Sequence, residues 1–92
     1  MHTDEYEISL ARELNHHEKV VNQTRKAIEA RQRRYGLNYA EAASAAAEGR
    51  IEIAKKELAA WHEDVEALPV WEQRLEEYRE ALAKMRISAS HF

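Results

Sequence analysis

Cysteine is absent, glycine occurs twice and proline once. Without cysteine there is no disulfide framework, no thiolate chemistry and no Cys-based zinc site. So few turn formers exclude an all-β sandwich or barrel, whose many tight turns draw on glycine and proline. No apolar run approaches the ~18 residues of a membrane span. Met1-His2-Thr3-Asp4 is not the basic opening of a secretory signal. Large apolar side chains are scarce too: the apolar fraction is 45%, and alanine supplies 16 of those residues. A net charge of −3 is too near neutral for a general nucleic-acid binder. What survives is a single helical domain over residues 1–92, read as cytoplasmic and without cofactor. A chain this short buries only ~60% of its unfolded surface, so regular packing or association has to supply its stability.

Charge is unevenly placed. Residues 1–35 carry seven basic and six acidic groups, whereas residues 36–92 carry seven basic and eleven acidic ones. Two such segments suit pairing with each other.

The pattern within the chain is helical. Asp4 with Glu7 fits a capping box at the start of a first helix. Arg31, Arg33 and Arg34 followed by Gly36 mark its end. In between, Leu14, Val21, Ile28 and Tyr35 recur every seven residues, and Leu10, His17, Thr24 and Arg31 form the companion series. Val20 and Ala27 widen the stripe on one side. Asn38 with Glu41 predicts a second cap after a loop at 36–38. Apolar and small residues then alternate at steps of four and three from Ala40 through Ile51, Leu58, Trp61 and Val65 to Leu68. This predicts a second helix over 39–68, with Gly49 tolerated inside it. Pro69 and a slip of apolar phase predict a break. A third helix follows over 70–87, and 88–92 are read as a tail.

These elements give an all-α expectation: an antiparallel hairpin of the first two helices with a third, shorter helix, as a three-helix bundle or a dimeric coiled-coil-like bundle. A turn centred on Leu37 would set Leu10 and Leu14 opposite Trp61 and Val65. Trp71, Leu75, Tyr78, Leu82 and Met85 would need cover, either by folding back on the second helix or from another copy. Ala42, Ala46 and Gly49 would form a small-residue face left open. Both sets are candidate interfaces, and together they predict a homodimer or another protein partner.

Chemistry-bearing residues are few. Glu13 and His16 share the Glu-x-x-His spacing of carboxylate-bridged metal bundles. With His17 and His62 they are the candidate metal ligands of an oligomeric, ferritin-like alternative. His17 falls in the seam, expected near Leu58, Trp61 and His62 as a half-exposed ring stacked on an aromatic one. Arg25, Arg31, Arg33, Arg34 and Arg50 make the hairpin tip basic, a pattern that can hold phosphates; arginines at a helix C-terminus also gather for dipole reasons. Serines stand in no motif with a base. The functional expectation is therefore a non-enzymatic protein–protein interaction module: an adaptor, inhibitor, chaperone or antitoxin-like partner. Metal binding and weak nucleic-acid binding are the alternatives.

Overall fold

The computed structural model describes the backbone of residues 2–90 and the side chains of residues 5–86. Among them are three helices and no strand: α1 (His2–Tyr35), α2 (Tyr39–Ala47) and α3 (Lys55–Ser90). The all-α hairpin with one short helix is thus observed, but the hairpin is α1 against α3, and the short helix is the middle one. The body is a rod of 64 × 18 × 17 Å.

The first turn follows its residues. Gly36 takes φ 67°, the left-handed conformation that an L side chain resists, and its N–H bonds the Gln32 carbonyl at 2.8 Å. Asn38 caps α2: its side chain accepts from the Glu41 N–H at 2.9 Å, and Glu41 accepts from the Asn38 N–H at 3.1 Å. α1 begins at His2, a residue or two before the expected start, and the Asp4 side chain is outside the described ones.

The expected helix over 39–68 is corrected. α2 stops at Ala47, because Gly49 is not an interior glycine but the residue that ends the helix. It takes φ 75°, its N–H bonds the Ala46 carbonyl at 3.2 Å, and the Arg50 N–H reaches the Ala45 carbonyl at 2.8 Å. That pair of bonds is a Schellman closure. A linker over 48–54 then leads into α3.

The expected break at Pro69 is corrected as well. α3 runs through Pro69, whose ring is exposed. The phase slip vanishes once Asp64, not Val65, is placed in the seam. Trp61, Asp64, Leu68, Trp71, Leu75, Tyr78, Leu82 and Met85 then alternate by three and four without interruption. The tail read at 88–92 is helical through Ser90, and its last two residues are outside the described ones.

Register changes with the turn. The hairpin reverses through the whole of 36–54, so Tyr35 stacks on Trp61 at 5.8 Å between ring centroids, and His17 meets Trp71 at 5.1 Å and Tyr78 at 4.7 Å. Leu10, Val21, Ile28, Trp61, Leu75 and Leu82 are buried along the seam. The third stripe therefore neither folds back on the second helix nor waits for another copy: α1 covers it, with Trp71, Tyr78 and Met85 half-buried. α2 lies against α3 at the tip with Ala42 and Ala45 buried, so the small-residue face read as open is turned inward; only Gly49 of that set is exposed.

Candidate functional site

Two aromatic clusters organise the hairpin. At the tip, Trp61 is fully buried, with Tyr35 stacked on one side and Tyr39 edge-on at 5.8 Å; His62 packs on Tyr39 at 5.2 Å. The indole Nε1–H has no acceptor among the described residues, a loss of about 1–3 kcal/mol for a buried donor. Tyr35 donates its hydroxyl to Glu57 at 2.9 Å. Partial burial, then the bond to Glu57, holds that phenol above its ordinary pKa, while Arg34 and Arg31 pull it down.

The second cluster surrounds His17, which is buried rather than half-exposed and lies far along the rod from Leu58 and Trp61. Its Nδ1 sits 2.8 Å from the Glu13 carbonyl oxygen. A carbonyl can only accept, so the ring carries its proton on Nδ1. This one bond occupies the nitrogen nearer Glu13. His16 touches His17 edge-on at 5.6 Å and is exposed. His62 belongs to the tip cluster. His62 is therefore not brought to Glu13, His16 and His17; the Glu13 carboxylate lies 4.0 Å from His17 Nδ1, but no group of three ligating side chains able to hold a metal ion occurs among the described residues.

The basic tip is similarly dispersed by pairing. Arg31 bridges to Asp64 at 2.7 Å across the seam, Arg25 to Glu72 at 3.2 Å, Arg34 to Glu57 at 3.5 Å and Arg50 to Glu48 at 2.6 Å. Arg33 is exposed on the outer side of α1. The arginines are thus spread over several sides of the rod, four of them beside carboxylates.

The two broad faces of the hairpin differ. In an antiparallel pair, the residues just outside the seam on one side of α1 meet their counterparts on α3. On one face these are charged, and Arg25–Glu72 and Arg79–Glu18, at 3.4 Å, form a ladder that Arg86–Glu7, also 3.4 Å, extends. Between its rungs lies a polar groove lined by Glu18, Arg25, Glu72 and Arg79. Nearer the tip the same face opens as an apolar groove of about 360 Å³ lined by Ile28, Gln32, Tyr39, Ala40, Val65 and Leu68.

The opposite face is built from Val20 and Ala27 of α1 and Ala60, Ala67 and Ala81 of α3, all half-buried, with Val70 49% exposed beside them. Trp71 and Tyr78 reach its surface, and Arg74 lies over the Trp71 ring at 5.4 Å. No inter-helical ion pair crosses its middle among the described residues. This alanine- and valine-rich face, with Trp71 and Tyr78 from the expected third stripe and Arg74 as the charge between Ala67 and Ala81, is the most apolar broad side of the hairpin. Val20 and Ala27 signalled it in the sequence as the widening of the first stripe; the α3 half was hidden by the wrong register.

No family model, curated protein or solved structure matches the chain. The faces of the rod alone therefore carry the functional reading. No described helix is long and apolar enough to cross a membrane.

Proposed function

We propose that the chain is a non-enzymatic protein–protein interaction module that binds through the alanine- and valine-rich face of the α1–α3 hairpin, in the manner of an adaptor, inhibitor, chaperone or antitoxin-like partner. One observation carries the reading: charge pairs bridge the helices on one broad face, while the other presents Val20, Ala27, Ala67 and Val70 between them. Small side chains let a partner helix approach closely and lose little rotamer entropy when covered. Val70 at 49% exposure is the anchor within reach of a partner.

Site-specific photocrosslinking tests this. A photoreactive residue at Val70 should yield protein adducts, whereas one at Asn22, beside the ladder, should not. Adducts from Ala40 in the tip groove instead, or from no position, would sink the proposal.

A further inference from the structure

The outer edges of the two helices carry opposite charge. Arg12, Lys19, Lys26 and Arg33 are all exposed and recur every seven residues, so they line the side of α1 that points away from α3. Glu63, Glu66, Glu77 and Glu80 are exposed along the outer side of α3, with one cation, Lys84, seven residues beyond Glu77. None of the four α1 cations and four α3 glutamates takes part in an ion pair among the described residues. A rod with a mainly basic edge, a mainly acidic edge and, between them, an alanine- and valine-rich face crossed only by Arg74 among its central residues is complementary to itself in one orientation.

We infer that the alanine- and valine-rich face docks on the same face of a second copy, about a two-fold axis parallel to the rod, with both tips at the same end. This rests on the interaction reading above and names its partner. Such an axis sets α1 of one copy over α3 of the other, running antiparallel, and closes a four-helix bundle. It also stacks each basic edge beside an acidic one. The levels follow from the Arg31–Asp64 and His17–Tyr78 contacts within a chain. Lys19 comes level with Glu77 of the second copy and Arg33 with Glu63, while Lys26 and Arg12 lie about one helical turn from Glu66 and Glu80. The alternative axis, across the rod, would put tips at opposite ends and set two basic edges side by side, which like-charge repulsion opposes. Area is no obstacle: a face 64 Å long and 18 Å wide exceeds the ~800 Å² per partner of a standard interface.

The test combines mass, orientation and charge exchange. Light scattering at micromolar concentration should give twice the chain mass of 10.7 kDa. Val70→Arg, at an exposed position, should give a monomer with unchanged helix content by circular dichroism. The chain has no cysteine, so Glu52→Cys allows a single spin label in the linker at the tip. The distance between labels should fall well below half of the 64 Å rod length. Lys26→Glu should raise the dissociation constant about tenfold, and adding Glu66→Lys should restore it. Within one chain these two lie on opposite outer edges, so the rescue reports on contact between copies.

A monomer at every concentration overturns this inference while leaving the interaction module standing, since Val70 crosslinks would then lead to another protein. Labels about one rod length apart, or a dimer that survives Val70→Arg, overturn the arrangement or the face.

Discussion

Pro69→Ala tests how α3 is built. Pro69 lies inside a helix of 36 residues, has no N–H for the Val65 carbonyl, and is exposed. Proline in a helix interior is about 3 kcal/mol less favourable than alanine. Proline also stiffens the unfolded chain, and losing that effect takes back about 0.4–1 kcal/mol. Because the ring is in solvent, replacing it forfeits little packing. The expected net is a gain of about 2 kcal/mol. For a domain of this size each kcal/mol moves Tm by roughly 4–8 °C, so the midpoint should rise by about 10 °C. Urea unfolding followed by circular dichroism should show a higher midpoint with an unchanged slope. Since association also raises apparent stability, the comparison belongs in the Val70→Arg background, at several concentrations. An unchanged or lowered midpoint would refute the reasoning. It would mean that a bend at Pro69 is needed to keep Trp71, Leu75 and Leu82 against α1.

Three further outcomes follow from the same geometry. Arg31→Ala should destabilise by about 1 kcal/mol, the pair being partly exposed, whereas Arg31→Leu with Asp64→Leu should be neutral or stabilising; equal losses in both variants on urea unfolding would contradict a seam pair. Trp61→Phe should cost well under the about 3–5 kcal/mol of truncation to alanine, because it removes the unpaired Nε1–H with the ring it carries; a Phe variant as unstable as Trp61→Ala would show that the donor is satisfied. Tyr35 should ionise later than an ordinary tyrosine in an ultraviolet pH titration, and Glu57→Gln should bring it part of the way back, leaving the share due to burial. Since the folded state holds that proton more tightly, stability is retained below pH 10.0, the ordinary value, and falls as pH rises through the higher folded one; an early-ionising Tyr35 would reverse this sign.

Capping and period were legible. Gly36, Asn38 and Glu41 each act locally, and the structure uses each as read. The first stripe needed only its seven-residue spacing. Two residues misled, for physical reasons. Gly49 in an alanine-rich stretch is compatible with a helix interior and with a helix end, and the choice rests on where Arg50 finds an acceptor. Asp64 is charged, so an apolar count passes over it in favour of Val65, and the stripe so counted stumbles at Leu68. Its partner Arg31, 33 residues away, is what makes a carboxylate acceptable in the seam. Both errors feed the register, and the register decides which face is covered. The candidate site inherited them: Leu75, Leu82 and Ala42 were offered to a partner although the chain buries them itself.

The hairpin closes in order of increasing sequence separation. The Tyr35–Glu57 bond spans 22 residues, Arg31–Asp64 33, Arg25–Glu72 47, Arg79–Glu18 61 and Arg86–Glu7 79. Taken singly, the last would require a long and slow loop closure. Taken in sequence, each closure only extends the one before it, because the helices already aligned at the tip deliver the next pair. Folding is then expected to run as a zipper from the tip, where Tyr39 of α2 packs on Trp61. Amide exchange should slow steadily from Arg86 back toward the tip, and the open end of the rod, where Glu7 and Arg86 meet in solvent, is the first part to come undone.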